Sequence, residues 1–404
     1  MKINKTIVCF TASYPYGSRE TYFANELEYL SQAFEKIILI PGYNPYNKEQ
    51  RVVPFNVTVY DPVLQQGWRR FVDFLLNFKL KKQHRQEFFN RKVYKSRTRL
   101  KKWTLSVLSY GKELNTFMSY GFNENEVILY SYWTGKNYFI EKKLNKFRKV
   151  IRMHGGDFYE ERNDGYLPLI REIYQSADLL LPISNDIYGK LIQRYKTNPS
   201  KMNLSYLGVA NNSKSCKIKS DEKLRLVSCS NIYSLKRIHL IYEILLLIKN
   251  KISIQWTHIG DGDLLNDLKK TIDNKSKENI EVSFVGQKTQ DEIKEIYENT
   301  YFDFFINTSE YEGLPVSIME AFSFGIPAVA TDVGGTSEIV NNNNGLLIKK
   351  DFNNRDIANE IEYFFIHDKF KKMRTEAFNM WENKFDADIN YKKMITKMNF
   401  DESE

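Results

Sequence analysis

NTSEYEGLPVSIMEAFSFGIPAVATDVGGTSEIVNNNNG, residues 307–345, decides how this chain is read. An apolar run, Phe302–Ile306, leads into it as a strand, and the strand opens into a polar loop. Gly313 permits close backbone approach there, and Pro315 suits the first turn of a helix. The spacing predicts a helix to about Phe324, stopped by Gly325 and Pro327. The free N–H groups and positive dipole end of such a helix form an anion site suited to a phosphate. Glu312 precedes the helix and Glu320 lies inside it. One carboxylate then sits at the helix mouth and the other more than a turn deeper, so the two can hold hydroxyls on two parts of one ligand. A structural cap and a solvated glutamate are the plainer alternative. A second strand-to-helix turn follows at Thr331–Ser337, where Gly334 and Gly335 precede Thr336 and Glu338.

The same alternation extends outward in both directions. Short apolar runs at Thr6–Phe10, Lys36–Ile40, Val127–Ser131, Val150–His154 and Leu179–Ile183 read as strands in the first half. Arg225–Cys229, Ile254–Ile259, Val282–Val285, Ala328–Ala330 and Leu346–Ile348 join Phe302–Ile306 in the second. Most are continuously apolar, as parallel strands covered on both faces must be. Amphipathic stretches separate them; Phe23, Leu27, Leu30 and Phe34 step along one helix face. The fold class expected is α/β, with two Rossmann-like domains facing each other across a cleft. The polar segment Gly208–Lys223 is the linker candidate. It divides the chain into a first domain over residues 1–208 and a second domain over 209–385, with a C-terminal helix over 386–404 expected to pack back on the first.

Composition excludes several classes. The 404 residues are 42% hydrophobic and 27% charged, too apolar for a disordered chain. Cys9, Cys216 and Cys229 are too scattered for a disulfide framework or zinc knuckle, which points to an intracellular protein. The first residues read as a strand rather than a signal peptide, and no window approaches 18 apolar residues. The net charge of +9 is local. Arg69–Lys102 holds 13 basic and 2 acidic residues, a segment at +11 that leaves the remainder at −2. Trp68, Phe71, Phe74, Leu75, Phe78, Phe88, Phe89, Tyr94 and Trp103 interleave with that charge. Such a basic, aromatic amphipathic segment suits an anionic membrane surface; equally, it describes an insertion whose aromatics pack on their own domain. No nucleic-acid module accompanies it, so nucleic acid is not an expected partner.

Further candidates lie at the ends of other strands. His154 ends the Val150–His154 run before Gly155 and Gly156, so it projects where α/β sites are built, or else it caps or fills the core. Asp157 accompanies it. Tyr14–Thr21 follows the first strand, with Gly17, Ser18 and Glu20 either approaching a ligand or forming a simple turn and cap. Asp261-Gly262-Asp263 and Asp386-Ala387-Asp388 both spell D-x-D, a pattern that can hold a metal–nucleotide complex.

E-G-L-P-V-S-I-M-E-A, followed by G-I-P-A-V-A-T-D-V-G-G, resembles the donor site of the family 4 retaining glycosyltransferases. Arg152–Tyr159, Pro182–Ser184, Tyr206–Val209, Ser228–Arg237 and Ile259–Gly262 match in the same order. The likeness is greatest to polysaccharide-assembly transferases of the colanic acid and amylovoran type. It implies the two-domain GT-B fold and a sugar-nucleotide-dependent, retaining, metal-independent transfer. It also implies that Glu312 contacts the donor sugar and Glu320 the ribose, that Gly313, Leu314 and Pro315 meet sugar and diphosphate, and that Lys236 binds the diphosphate. The family's Arg ahead of that Lys has no counterpart. Ser230, Asn231 and Tyr233 occupy its vicinity, and Arg237 is the candidate replacement. By the same resemblance His154 and Glu312 are catalytic, and Gly17 approaches the donor phosphate or the acceptor. Expected partners are a nucleotide-sugar, as substrate and not cofactor, and a saccharide or lipid-linked oligosaccharide acceptor. The expected location is cytoplasmic, at the inner face of the cell membrane where residues 68–103 touch it. A sugar-nucleotide epimerase on the same architecture and a non-catalytic membrane adaptor are the rival readings.

Overall fold

The computed structural model describes residues 2–17, 20–45, 48–210, 219, 221–249 and 251–399. They form two compact units, Met1–Ser205 with Tyr391–Glu404, and Tyr206–Asn390. Most of the expected linker lies outside the described residues, as does Ser18.

The first unit is built on six parallel strands: β1 (Ile3–Thr11), β2 (Phe34–Pro41), β3 (Val57–Val59), β4 (Val127–Ser131), β5 (Arg148–Met153) and β6 (Leu179–Pro182). Their order is β3-β2-β1-β4-β5-β6, with Ile7–Phe10 in register against Ile37–Ile40 on one side and Ile128–Ser131 on the other. The helices are α1 (Thr21–Ala33), α2 (Trp68–Leu76), α3 (Lys82–Asn90), α4 (Arg97–Ser119), α5 (Gly155–Phe158), α6 (Ile170–Ser176) and α7 (Asn185–Tyr195). Phe23, Leu27 and Leu30 line the buried face of α1 as expected, whereas Phe34 begins β2 and is buried from there. Sequence reading misses β3. It is a half-buried edge strand of three residues, too short to show a period, placed by its pairing with Ile37–Leu39.

The basic segment folds as α2, α3 and α4 between β3 and β4. Its aromatics divide. Phe74 is buried, and Phe88 packs 4.8 Å from Trp103, whose indole N–H donates to the His84 carbonyl at 2.9 Å. Trp68, Leu75, Phe78, Phe89 and Tyr94 stay exposed. Helix α2 ends at Leu76, so Phe78 lies beyond it although it keeps helical spacing with Phe74 and Leu75.

The second unit repeats the plan with β7 (Leu224–Cys229), β8 (Ile254–Ile259), β9 (Ile280–Phe284), β10 (Phe304–Asn307), β11 (Ala328–Thr331) and β12 (Gly345–Ile348). Their order is β12-β11-β10-β7-β8-β9, all parallel. Helices α8 (Ile238–Leu245), α9 (Leu265–Asn274), α10 (Gln290–Asn299), α11 (Val316–Ser323), α12 (Asn354–Ile366) and α13 (Lys369–Lys384) connect and cover them. Trp256, Phe304, Ile241 and Ile361 sit in one apolar core. In each sheet the first strand of the unit stands mid-sheet, and the chain winds away from it in opposite directions. The switch points fall between β1 and β4 and between β7 and β10, where α/β sheets leave a crevice beyond their carboxyl ends.

Helix α14 (Ala387–Asn399) begins at the second D-x-D. From Tyr391 onward it belongs to the first unit. Tyr391, Met394, Ile395 and Met398 are buried, whereas Ile389 is exposed. Tyr391 packs 5.0 Å from Tyr29, and Arg148 donates to the Met398 carbonyl at 2.8 Å. Under this helix lies Arg152. Its side chain is 0% exposed, as is that of Glu26, with Nε 3.3 Å from the carboxylate. It also donates to Ser205 Oγ at 3.1 Å, while Tyr130 donates to Glu26. Burial pushes the Glu26 carboxyl up, and Arg152 and the Tyr130 hydrogen bond oppose that. Removing one member of such a pair leaves the other charge buried and unpaired, which costs roughly 3–5 kcal/mol. Arg152→Met should therefore lower the stability of the first unit by about that amount in urea denaturation, and Arg152→Met with Glu26→Leu by clearly less.

Candidate active site

The second unit's candidate site is built at the β7/β10 switch point. The loop after β7 and the loop after β10 are tied together by their backbones: Glu310 N–H donates to the Leu235 carbonyl at 2.8 Å, and Thr308 Oγ1 reaches the carbonyls of Lys236 and Arg237 at 3.1 and 3.0 Å. Arg237 closes the joint. Its guanidinium donates to the carbonyls of Thr308 at 2.7 Å, Lys350 at 3.0 Å and Ser309 at 3.4 Å, and lies over the Phe352 ring. Arg237 also has φ 48, a left-handed conformation at the start of α8. The structure thus makes it a clamp on three loops.

This joint aims Lys236 at Glu312. The ammonium lies 2.6 Å from Oε1, with the Glu312 side chain 11% and the Lys236 side chain 29% exposed. Asn307 Nδ2 donates to the same oxygen at 3.2 Å, and Ser309 adds a further hydrogen bond. Burial pushes the Glu312 carboxyl up. The Lys236 charge and these donors outweigh it, so the group stays below its ordinary value and remains ionised. Pro315 is the N-cap of α11 rather than its first residue; Leu314, Pro315 and Val316 are buried. The second glycine turn joins this one directly, because Gly335 N–H donates to the Gly313 carbonyl at 2.9 Å. Gly334 there has φ 56, which glycine adopts without strain.

Glu320 is buried inside α11 and sees a different field. Burial raises its pKa to about 7, opposed by a Gln290 hydrogen bond and the Lys294 charge from α10. Cys229, at the end of β7, registers both sides of the site. Burial pushes its thiol up, the Glu320 charge adds to that, and Lys236 counters it. Beside it the Ser230 hydroxyl is buried without a hydrogen-bond partner among the described residues. The IGDG turn supports Ser230 from below: Gly260 has φ 138, and a Cβ there would meet the Ser230 carbonyl oxygen at 2.0 Å. Asp261 of the first D-x-D accepts from the Gly262 N–H at 2.7 Å and is exposed. Lys236, Glu312, Gly313, Leu314, Pro315, Ser230 and Glu320 are therefore grouped at one sheet edge: an ion pair at the helix mouth, an unpartnered hydroxyl, and a deeper carboxyl poised near neutrality.

The first unit has its own cluster at the β1/β4 switch point. His154 is the N-cap of α5; its N–H donates to Asp157 Oδ1 at 2.8 Å, so it does cap. Its ring also packs 4.5 Å from Tyr132 and 4.8 Å from Trp133, and its buried Nε2 has no hydrogen-bond partner among the described residues. Burial, then the Arg152 charge, push the imidazole well below its ordinary pKa, so it is neutral at pH 7. Asp157 is raised to about 7 by burial, against hydrogen bonds from Thr134 and His154. Glu20 accepts from the N–H groups of Ala12, Ser13 and Tyr14 at 2.9, 2.7 and 2.6 Å and from the Trp133 indole at 2.6 Å. That carboxylate ties the end of β1 and the loop after β4 to the start of α1, and Gly17 has φ 71. Sequence reading misses Trp133, Asn307 and Ser309. Asn307 and Ser309 lie inside the quoted stretch, at a strand's carboxyl end, and that position is the signal that could have found them.

These two edges, on an all-parallel twin-sheet chain, are the architecture of GT-B glycosyltransferases. Residues 211–379 match the family described as Glycosyl transferases group 1, so the second unit carries a domain of that family. The chain is 29% identical over 217 residues to the amylovoran biosynthesis glycosyltransferase AmsK of Erwinia amylovora, covering 50% of this chain and 51% of AmsK. It is 27% identical over 184 residues to WcaL of Escherichia coli, named for colanic acid biosynthesis, covering 43% and 44%. The chain thus spans about half the length of the curated relatives it matches. The solved lipopolysaccharide outer core galactosyltransferase WaaB superposes over 98% of both chains with a TM-score of 0.67 at 16% identity, a likeness of fold.

The Glu320 field has a testable sign. A carboxyl at about 7 in the folded protein and 4.5 in the free group binds its proton more tightly when folded. Stability is then lost as pH rises through that window and stays lost above it. Glu320→Gln removes this penalty. Its melting temperature should match or trail wild type near pH 5 and exceed it near pH 8, by about 1–3 kcal/mol in stability.

Proposed function

We propose that this protein is a glycosyltransferase that moves a sugar, with retention at the anomeric carbon, from a nucleotide-sugar to a saccharide acceptor in surface polysaccharide assembly. The observation that carries it is the Lys236–Glu312 contact at the mouth of α11, with Glu320 one turn deeper and Ser230 Oγ unpartnered beside it. An ammonium and a helix N-terminus suit the charge that a diphosphate leaving group develops. When the diphosphate arrives, Lys236 has a second anion to serve, and Glu312 is released toward the sugar. Glu320 meets the ribose hydroxyls. The leaving phosphate takes the acceptor's proton in a front-side displacement. His154, neutral for the reasons above, is assigned a hydrogen bond to a sugar hydroxyl and not proton transfer. The reaction needs no metal or cofactor.

The direct test is turnover of UDP-, GDP- and ADP-sugars with product stereochemistry read by NMR. Glu312→Ala should lower kcat by about 100-fold or more, the scale of losing a transition-state charge contact. Glu320→Ala should chiefly raise the donor KM. Activity should survive EDTA. Wild-type turnover in both variants, an inverted product, or loss of activity in EDTA with recovery on a divalent ion would overturn the assignment.

The acceptor in this proposal is lipid-linked, and the protein meets it at an anionic membrane surface. Lys82, Arg85, Lys92, Lys95, Arg97 and Lys101 have no side-chain partner among the described residues, and they surround the exposed Phe89 and Tyr94. Vesicles with about 30% anionic lipid should float the protein at low salt and release it at about 0.5 M salt, because exposed charges are screened there. No flotation at low salt would remove the membrane from the proposal.

A further inference from the structure

The strongest feature outside the sites above is a recess of about 570 Å³ beyond the carboxyl ends of β2 and β3. Its size lies within the roughly 300–1,000 Å³ of small-molecule pockets. Asn44, Asp61, Gln65, Gln66, Trp68 and Arg69 line it. Its backbone is anchored: Val63 N–H donates to the Pro41 carbonyl at 3.1 Å and Leu64 N–H to the Gly42 carbonyl at 2.9 Å. Its polar groups divide: the Asn44 amide donates to the Lys48 carbonyl at 3.0 Å and accepts from the Lys48 N–H at 2.9 Å. The Gln66 amide donates to the Asn44 carbonyl, but Asp61, Gln65 and Arg69 have no side-chain hydrogen bond among the described residues. Trp68 presents its indole at 74% exposure. A second recess of about 480 Å³ shares the Asp61, Pro62 and Gln65 wall and adds Lys112, Thr116 and Tyr120.

We propose that this recess is a saccharide subsite that holds the acceptor's sugar, with Trp68 as its platform. The proposal rests on the acceptor-side reading given under Proposed function. A pyranose has an apolar C–H face and a rim of neighbouring hydroxyls, each both donor and acceptor. The face matches an exposed indole, whose large flat surface is otherwise left in water. The rim matches the Gln65 amide, the Asp61 carboxylate and the Arg69 guanidinium, which have no side-chain hydrogen bond among the described residues. Asp61 is common to both recesses, so its carboxylate can meet a hydroxyl in either. The shared wall between the two recesses gives room for more than one sugar unit. A lipid surface is the competing occupant, because Trp68 lies on the same α2 face as the exposed Val72, Leu75 and Leu76. Three polar side chains that line the same recess as Trp68, without side-chain hydrogen bonds among the described residues, favour the sugar.

Saturation-transfer NMR on the full chain tests this, using methyl glycosides of glucose, galactose and N-acetylglucosamine and the disaccharide maltose as probes. At least one should give ring-proton enhancements with wild type. Trp68→Ala should reduce them about fivefold or more, the scale of one lost aromatic platform. Asp61→Asn should also reduce them. Both side chains are exposed, so melting temperature and any UDP-sugar thermal shift should be unchanged. Enhancements equal in Trp68→Ala and wild type, or absent for every probe with wild type, overturn the subsite. So does a Trp68→Ala protein that loses vesicle flotation but keeps its saccharide signal, which would assign Trp68 to lipid. Saccharide signals that behave as expected in a protein with no nucleotide-sugar turnover would leave the subsite standing and remove the transferase reading instead.

Discussion

A carboxylate buried at a helix mouth is tolerable only beside a cation, and the Lys236–Glu312 pair is where this constraint is met. Much of the second unit's sheet edge is arranged to hold that pair. Thr308, Glu310 and Arg237 bind the loop after β7 to the loop after β10, and those loops belong to strands that are neighbours only because the chain reverses its winding there. Arg237 reaches further, to Lys350 after β12, so three loops share one guanidinium. The two acids of the EGLPVSIME stretch then diverge. Glu312 has a cation and is held ionised, whereas Glu320, buried deeper in α11, is pushed toward neutrality despite the Gln290 hydrogen bond and the Lys294 charge. Two chemically identical groups acquire different protonation from position alone.

The first unit solves a similar problem differently. Arg152 and Glu26 neutralise each other in the interior, and Tyr130 and Ser205 take up remaining hydrogen-bonding capacity. Burial first, and then the nearby Arg152 guanidinium, keep His154, two residues on, neutral. Its neighbours Tyr132 and Trp133 come from the end of β4, and Trp133 is itself held by Glu20 from the start of α1. The order of strands β1, β4 and β5 therefore brings the loop after β4 onto the imidazole, with Glu20 holding that loop from the start of α1.

Much of the architecture is legible from composition and period. Continuous apolar runs separated by amphipathic stretches can bury both faces only as parallel strands under helices, and ten of the eleven expected second- and first-unit runs need only end adjustments of a residue or two. What period cannot deliver is β3, whose three residues hold their place through pairing, and the end of α2, where Phe78 keeps helical spacing after the helix has stopped. The site was legible in part for the same reason. Gly313, Pro315 and the two acids carry conformational and charge requirements that show in residue type. Asn307 and Ser309 do not, because an Asn or Ser after a strand is ordinarily a turn residue, and only proximity to Glu312 gives them a role.

The sequence by itself determined the fold class, the two strand–helix series and the loop that holds the paired glutamates, because these follow from local pattern and backbone chemistry. Only the tertiary structure decided what the charges do. Lys236 and Arg237 are adjacent cations of similar appearance, yet one ammonium meets Glu312 while the other side chain clamps carbonyls. The basic segment likewise splits into buried Phe74 and exposed Trp68, although both carry the same aromatic signal. The physical reason is that burial and pairing depend on distances between residues far apart in the chain, and residue spacing along one strand or helix does not encode them.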